Sequence, residues 1–236
     1  MKKTTEVVMI RHAQSEFNAQ GRFSGWADPP LSQAGVDEAR RAGDFLAKSN
    51  YKFDYVYSSR LSRAIQTADL IMQHMGYANF PIVQDWRLNE RHYGDLQGRI
   101  RQQLIDRVGE EQVWRWRRGY EDMPPSLSAT DLRHSKYDPR YKDLAAKDVP
   151  SAESLRDTRL RVAKFWQELV EPKLQSKDRL LLVAHGNTLR ALLMELTGMS
   201  VEDVEKFEVP TGIPIVCSIN SGKQAVTWRY LQASAA

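Results

Sequence analysis

Val7-Val8-Met9-Ile10-Arg11-His12-Ala13 and Leu180-Leu181-Leu182-Val183-Ala184-His185-Gly186 are the most informative segments of this 236-residue chain for its architecture. Each is a short apolar run that ends in a histidine followed by a small residue, and each gives way to a helical pattern, from Ser15 and from Asn187. Such runs are typical of buried parallel strands, and the ligands of open α/β sheets gather at the carboxyl ends of the strands. A single histidine there is commonly a hydrogen-bonded structural residue. The repeated context instead predicts two imidazoles that face each other at one edge of a sheet.

The rest of the chain repeats the alternation of strands and helices. Ser32 is the predicted N-cap of the first long helix, Asp54–Ser58 is the second strand, and a short strand is expected at Phe80–Val83. This order predicts an α/β fold, mainly a parallel sheet flanked by helices on both faces, with right-handed crossovers. The predicted buried faces of the first two helices contain Val36, Ala39, Ala42, Phe45 and Leu46, and Ala64, Thr67, Ala68, Ile71 and Met75. The later elements are a helix at Glu153–Val170, helices from Asn187 and Ser200, and strands near residues 213–219 and 225–230.

Residues 86–150 interrupt the alternation of predicted strands and helices. Within them, residues 123–151 are rich in Pro, Ser, Asp and Tyr and lack periodicity. A loop of this length in a compact domain is usually functional or disordered, and its aromatic residues favour an ordered, lid-like insertion over a linker. No composition shift forces a domain boundary, so the whole chain, residues 1–236, is predicted to form one domain with this insertion over the site.

Composition narrows the function classes. The chain is 42% hydrophobic, and no apolar stretch approaches the roughly 18 residues of a membrane span, so a cytoplasmic protein is expected. The single cysteine, Cys217, lies among apolar residues and is predicted to be structural. A net charge of +4 and a pI near 9.1 fit an anionic partner, although many enzymes are this basic.

The first strand end carries the pattern of an anion-binding site. Arg11 and His12 are followed by a loop with Asn18, Ser24 and Gly25, where glycine allows the backbone to approach a ligand closely. A neutral histidine is a competent nucleophile toward phosphorus, and arginine forks hold phosphoryl oxygens in pairs. These residue types in this order indicate phosphoryl chemistry.

Two further segments extend this interpretation. Arg63 falls in the first turn of a predicted helix, where the helix dipole disfavours a cation unless an anion is bound there. Glu90 lies among cations in Asn89-Glu90-Arg91-His92-Tyr93-Gly94, and near the two histidines it is suited to move the proton of a substrate hydroxyl.

A nucleic-acid-binding patch and a metal site are two other classes of site for which the chain carries suitable residues. Trp114-Arg115-Trp116-Arg117-Arg118 resembles a nucleic-acid-binding patch, but five such residues on one helix usually form a half-buried face with solvated arginines. A metal site built from His12, Glu90 and His185 is disfavoured, because the surrounding arginines would repel a cation. We therefore expect no nucleic acid, no membrane and no metal.

Seven motifs together resemble the cofactor-dependent phosphoglycerate mutases of the histidine phosphatase superfamily, in order and over nearly the whole chain. They are Arg11–Asn18, Phe23–Trp26, Ser62–Thr67, Leu88–Gly94, Trp116–Arg118, Ala184–Asn187 and Val209–Gly212. The Leu88–Gly94 motif and the following Asp138–Leu144 segment are the most specific for the mutase branch.

The resemblance implies the interconversion of 3-phosphoglycerate and 2-phosphoglycerate through a phosphohistidine primed by 2,3-bisphosphoglycerate, as in glycolysis and gluconeogenesis. It implies that His12 is the phosphorylated residue, that Glu90 donates and accepts the proton, and that Arg11, Asn18, Arg63 and His185 line the phosphoryl pocket. The residues that it implies for binding the rest of the substrate are Ser24, Gly25, Tyr93, Arg101, Arg117, Arg118, Gly186 and Asn187. It also implies a homodimer or homotetramer.

Some positions depart from the family pattern. Ala13 stands where a glycine normally follows the nucleophile, so its methyl group is expected to crowd the backbone or the phosphate and to slow turnover, and Arg101 replaces a lysine. The tail after Tyr230 is short. These departures keep two alternatives open, namely a phosphatase in which water accepts the phosphoryl group, and a catalytically weak protein that only binds phosphorylated or nucleic-acid ligands.

Overall fold

The computed structural model describes residues 4–176, 178–220 and 226–231. Its strands are β1 (Thr4–Arg11), β2 (Tyr55–Ser58), β3 (Ile82–Gln84), β4 (Leu180–Ala184), β5 (Pro214–Asn220) and β6 (Val226–Tyr230). They form one sheet in the order β3-β2-β4-β1-β5-β6. The first four of these are parallel neighbours, whereas β5 runs antiparallel to β1 and β6 antiparallel to β5. The predicted α/β class and mostly parallel sheet are confirmed.

Helices connect these strands and cover the sheet. They are α1 (Glu16–Ala19), α2 (Gln33–Lys48), α3 (Ser62–His74), α4 (Arg101–Val108), α5 (Glu110–Arg118), α6 (Leu155–Phe165), α7 (Glu171–Ser176), α8 (Gly186–Thr197) and α9 (Val201–Lys206). A π-helical turn, Trp166–Val170, joins α6 to α7. Among the described residues, no helix is long and apolar enough to cross a membrane.

Alternate residues of β1 face two separate cores. Val7 and Met9 belong to the apolar cluster that includes buried residues of α6 and α8. Val8 and Ile10 belong to the cluster that includes buried residues of α2 and α3. Since successive side chains of a strand point to opposite faces, this central strand is buried on both sides, which explains its continuous apolar run.

The contact faces of α2 and α3 differ in part from the predicted ones. Val36, Phe45 and Met75 are only half-buried, whereas Gly35 and Gly43 are buried in α2. A Cβ at Gly35 would lie 1.9 Å from the Gln14 carbonyl oxygen, and one at Gly43 would lie 2.7 Å from the Ile71 carbonyl oxygen. Because α2 packs through these glycines, apolar periodicity misplaces its buried face.

Element boundaries shift by a few residues from their predicted places. Ser32 is the N-cap of α2, as predicted, since its side chain accepts the Gly35 N–H. The helix expected from Glu153 begins at Leu155, because Ser154 is its N-cap and forms a capping box with Asp157. Ala225 and the tail beyond residue 231 lie outside the described residues.

The insertion is built from short 3₁₀ turns and loops around α4 and α5. Its second half, residues 123–151, packs beside the Trp26 loop: the Tyr141 ring lies 4.7 Å from that of Trp26, and Asn89 Nδ2 donates to the Tyr141 hydroxyl. Arg140 also pairs with Asp28. From the first half, Glu90, Tyr93, Arg101, Arg117 and Arg118 line the cavity beside His12. Residues 123–151 do not line this cavity, and they pack on the neighbouring Trp26 loop.

Candidate active site

The two strand-end histidines lie side by side. Arg11 of β1 is paired with Ala184 of β4, so the residue that follows each strand takes the next position along the same edge. The His12 N–H donates to the Ala184 carbonyl oxygen at 2.9 Å, and the ring centroids of His12 and His185 are 4.8 Å apart. Both side chains are buried. The parallel register of two neighbouring strands thus produces the predicted pair.

The contacts of His12 leave its Nε2 atom unprotonated. Its Nδ1 lies 2.7 Å from the Ala13 carbonyl oxygen, which can only accept a hydrogen bond, so Nδ1 carries the proton. The Arg63 Nε–H donates to Nε2 at 3.3 Å. Burial first, and then the charges of Arg63 and Arg11, hold the pKa of His12 well below its usual value. A neutral imidazole with its Nε2 lone pair facing a guanidinium is a suitable nucleophile for an anionic phosphorus centre.

Arg63 is fully buried and held by backbone oxygens. Its Nη1 and Nη2 donate to the carbonyl oxygens of Ala27 and Gly25, at 2.9 and 2.8 Å. The loop reaches it because Gly25 has φ of 57°, a left-handed conformation that favours glycine. Burial lowers the pKa of Arg63 to about 10, so it stays charged at neutral pH. Carbonyl groups therefore fix this cation at the start of α3, where the sequence suggested that a bound anion would be needed.

Three buried polar atoms near His12 lack partners in the described part of the chain: Arg11 Nε, Ser24 Oγ and His185 Nδ1. Arg11 is anchored by Nη1, which donates to the Val209 carbonyl oxygen at 2.8 Å, and burial lowers its pKa. Buried polar groups are nearly always hydrogen-bonded in native proteins. Three such atoms around one cavity indicate a place for a polar ligand.

Glu90 has one occupied and one available oxygen. Its Oε1 accepts the backbone N–H groups of Arg91 and Asn187, at 2.8 and 3.2 Å. Its carbonyl oxygen accepts bonds from Trp26 Nε1 and Arg161 Nη2. The side chain lines the cavity. These contacts fix the carboxylate and leave Oε2 for proton transfer to or from a ligand.

Further cations complete the wall of the cavity. Arg101 Nε donates to the Gly21 carbonyl oxygen at 3.0 Å, and burial lowers its pKa. Arg118 donates to the Phe207 carbonyl oxygen and pairs with the Glu208 carboxylate. The cavity has a volume of about 90 Å³. Its charged lining consists of Arg11, Arg22, Arg63, Arg101, Arg117, Arg118, Arg190, Glu90 and Glu208. The strong excess of cations selects for an anionic ligand.

Polar side chains between these charges are also fixed. Asn18 accepts bonds from the Ser15 N–H and hydroxyl through Oδ1, which leaves its amide group for the cavity. Asn187 Nδ2 donates to the Tyr93 hydroxyl at 2.9 Å, and its Oδ1 accepts from Arg190.

The structure brings the predicted residues together. All of them except His185 line the one cavity, and His185 packs beside His12. Sequence reasoning missed Arg22, Arg190 and Glu208, which also line it. Arg190 could have been found, because it lies one turn after Gly186 and between the apolar residues Leu189 and Ala191. Glu208 directly precedes the Val209–Gly212 motif, but nothing local shows that it reaches Arg118.

Other singled-out residues have structural surroundings. The Ala13 methyl group belongs to a buried cluster with Leu31 and Ala39, so it does not crowd the phosphoryl site as expected. Cys217 is buried in β5, where burial raises its pKa to about 12. Within the Trp114–Arg118 segment, Arg115 pairs with Asp122, while its last two arginines line the cavity.

Comparisons with known proteins agree with this geometry. The family model of the histidine phosphatase superfamily (branch 1) matches residues 7–135 and 126–230. A putative alpha-ribazole-5'-P phosphatase from Escherichia coli is 25% identical, with a TM-score of 0.73 over 98% of this chain and 97% of that one. Mycobacterial glucosyl-3-phosphoglycerate phosphatase is 26% identical, with a TM-score of 0.69 over 97% of both chains. Phosphoglycerate mutase from Bacillus anthracis shares the fold, at 20% identity and a TM-score of 0.70 over 98% of this chain and 93% of that one. Because the family match spans most of its length, the chain belongs to branch 1 of the histidine phosphatase superfamily.

Proposed function

We propose that this protein interconverts 3-phosphoglycerate and 2-phosphoglycerate through a phosphohistidine at His12. The observation that carries the proposal is the number of arginines in the cavity. A phosphoryl group presents three peripheral oxygens, which two or three arginine forks can satisfy. Seven arginines line this cavity. The excess supports a ligand with a second anionic group, such as the carboxylate of a small phosphorylated three-carbon acid, and not a nucleic acid or a membrane surface.

The proposed reaction uses His12, Glu90 and the buried arginines. His12 Nε2 forms a bond to phosphorus while the bond from phosphorus to the leaving oxygen breaks, and Glu90 Oε2 gives that oxygen its proton. Arg11 and Arg63 stabilise the charge on the peripheral oxygens. The cycle begins with the reverse of this step: Glu90 takes the proton of the free hydroxyl of 3-phosphoglycerate, and the hydroxyl oxygen attacks the phosphorus of the phosphohistidine as the bond from Nε2 to phosphorus breaks. The bisphosphoglycerate so formed then returns its other phosphoryl group to His12 by the step above. 2-Phosphoglycerate leaves, and the enzyme ends the cycle phosphorylated.

The first phosphohistidine requires a donor, and we propose 2,3-bisphosphoglycerate. It would supply the phosphoryl group that primes His12. The orphaned Arg11 Nε, Ser24 Oγ and His185 Nδ1 fit one phosphoryl group. Arg101, Arg117 and Arg118 offer cations for the other anionic groups.

A phosphatase with the same phosphohistidine is the alternative function. It is supported by the comparisons, since two relatives at 25% and 26% identity are named as phosphatases. In that reaction Glu90 would take a proton from water instead of from a second hydroxyl. The two functions therefore share every step up to the phosphohistidine and differ in the acceptor.

Phosphorus NMR distinguishes them directly. Purified protein, a metal chelator and 3-phosphoglycerate are followed with and without a trace of 2,3-bisphosphoglycerate. Primer-dependent appearance of 2-phosphoglycerate is the expected result. Accumulation of inorganic phosphate as the main product would instead assign the phosphatase, and no turnover of any phosphoester would refute both.

His12→Ala and His74→Gln form the matched pair for this experiment. His74 is a partly exposed histidine that pairs with Asp44 outside the cavity. Only His12→Ala is expected to abolish an acid-labile, base-stable phosphoprotein. If this species persists in His12→Ala, another residue is the nucleophile.

A further inference from the structure

His185 has one partnered and one unpartnered ring nitrogen. Its Nε2 lies 2.8 Å from the Ser59 hydroxyl, and its Nδ1 is a buried atom without a partner in the described part of the chain. Ser59 and His185 are both fully buried, and the bond joins residues 126 positions apart. Because water cannot serve either group, the hydroxyl and the ring determine each other's proton positions.

The Ser59 hydroxyl has two hydrogen-bond partners among the described residues, one donor and one acceptor. Its oxygen accepts the Leu61 N–H at 3.2 Å, where the chain turns into α3. A serine hydroxyl donates one hydrogen bond, and the described contacts give it one acceptor, His185 Nε2. If the Ser59 hydroxyl donates to His185 Nε2, one polar group of these two side chains stays unsatisfied, namely the Nδ1–H of His185. If Nε2–H donates to Ser59 instead, both the Ser59 proton and the Nδ1 lone pair remain unsatisfied.

The charges around His185 exclude the doubly protonated ring. Burial first, and then the cations, with Arg63 as the largest, hold the pKa of His185 well below its usual value. The choice at neutral pH therefore lies between the two neutral tautomers. Each unsatisfied buried polar group costs free energy, so the tautomer that leaves one such group is preferred over the tautomer that leaves two.

We infer that Ser59 is a positioning residue that holds neutral His185 as the Nδ1–H tautomer, so that His185 donates to an oxygen of the phosphoryl group on His12. The ring centroids are 4.8 Å apart, which places His185 beside the reacting imidazole. In the opposite tautomer, a nitrogen lone pair would face the oxygen anion and repel it. Ser59 thus favours binding of the transferring group without touching it. The kinetic part of this inference rests on the proposed function, while the proton position does not.

The chain offers a matched control one residue away. Ser58 is also fully buried, and its hydroxyl lacks a partner in the described structure. Ser58→Ala removes the same atom as Ser59→Ala, from the adjacent position, without removing a hydrogen bond. Ser59→Thr keeps the hydroxyl and tests whether that group, and not the shape of the serine, is required.

The first measurement is a long-range ¹H–¹⁵N spectrum of the full-length protein with ¹⁵N-labelled histidine, with His185 assigned from the His185→Gln variant. We expect a protonated Nδ1 and an unprotonated Nε2 in the wild type, in Ser58→Ala and in Ser59→Thr. In Ser59→Ala we expect these two shifts to move toward each other as the preference is lost. A protonated Nε2 in the wild type, or a Ser59→Ala spectrum identical to that of the wild type, would overturn the inference.

The second measurement is the rate of His12 phosphorylation by 2,3-bisphosphoglycerate, obtained by rapid quenching. Loss of one neutral hydrogen bond predicts a rate about 2- to 10-fold lower in Ser59→Ala, with recovery in Ser59→Thr and no loss in Ser58→Ala. Equal rates in Ser58→Ala and Ser59→Ala would overturn the kinetic part. If the wild type is not phosphorylated at all, the proposed function fails, but the spectrum still tests the proton position.

Discussion

Mild acid is expected to destabilise this protein strongly, because three fully or almost fully buried histidines are neutral in the fold. Burial also lowers the pKa of His134, which is 8% exposed and adds to the same trend. His12, His92 and His185 all have lowered pKa values, with burial as the largest cause, and that of His92 falls to about 3. In the unfolded chain each returns to its ordinary pKa near 6.5. Below that value the unfolded state binds more protons than the folded state. Stability is therefore fully present above about pH 6.5 and is lost as the pH falls.

The size of the effect follows from the number of these histidines. A histidine that stays neutral in the fold and titrates near 6.5 when unfolded contributes about 1.3 kcal/mol between about pH 7 and about pH 5.5. Three of them predict that the free energy of unfolding falls by about 4 kcal/mol, against a typical total of about 5–15 kcal/mol. Carboxylates titrate near pH 4 in the unfolded chain and add little in this range.

Urea denaturation followed by tryptophan fluorescence measures this change at each pH. His92→Asn is the informative variant: the asparagine oxygen can replace Nδ1 as acceptor of the Gly94 N–H but does not titrate. In this variant the free energy of unfolding is expected to fall by about 2.5 kcal/mol between about pH 7 and about pH 5.5, which is about two-thirds of the fall in the wild type. This expectation does not depend on the stability of the variant at pH 7. If the free energy of unfolding of the wild type falls by less than about 1 kcal/mol, the histidines accept protons inside the fold and are not held neutral there.

Three substitutions test separate parts of the site. Glu90→Gln is expected to lower kcat by about 10²- to 10⁴-fold in steady-state assays, and an unchanged kcat would remove Glu90 from proton transfer. Ala13→Gly is expected to cost about 1 kcal/mol in urea denaturation, because the methyl group packs on Leu31 and Ala39, while turnover is retained. A large loss of turnover would show that the methyl group shapes the site. Glu208→Gln frees Arg118 from an ion pair whose carboxylate is 71% exposed, so KM for 3-phosphoglycerate is expected to fall by about 2- to 5-fold. A higher KM would mean that Glu208 helps to bind the substrate.

The strand ends were the most predictable part of the molecule. A buried parallel strand needs a continuous apolar run, and each of these two strands ends directly before a histidine. Once β1 and β4 are neighbours in register, His12 and His185 must meet. Residue types at the strand and helix ends also predicted Arg11, Arg63 and Glu90, and the resemblance to a known family supplied further residues such as Tyr93 and Arg117. All five line the same cavity.

What the sequence did not reveal depends on contacts between distant segments. Ser59 meets His185 only because β2 and β4 are adjacent, and neither residue carries a local signal of the other. Glu208 reaches Arg118 across 90 positions. The buried face of α2 was misplaced for a different reason, since glycines such as Gly43 contribute close packing but no hydrophobic side chain to a periodicity.

The guanidinium groups of this cavity are held by carbonyl oxygens more than by carboxylates. This arrangement affects both the attraction of an anion and the protonation state of His12. Six of the seven arginines donate to backbone oxygens: Arg11 to Val209, Arg22 to Gly98, Arg63 to Gly25 and Ala27, Arg101 to Gly21, Arg118 to Phe207, and Arg190 to Val204. A carbonyl group fixes the direction of a guanidinium without cancelling its charge. The uncancelled charge attracts an anion, and it adds to burial, the larger cause, in lowering the pKa of His12 and His185. The field that favours a bound anion therefore also helps to keep the His12 Nε2 lone pair free of a proton. Asp28 Oδ1 lies 3.9 Å from Arg63 Nη1, too far for a hydrogen bond, and a carboxylate at hydrogen-bond distance would weaken both effects at once.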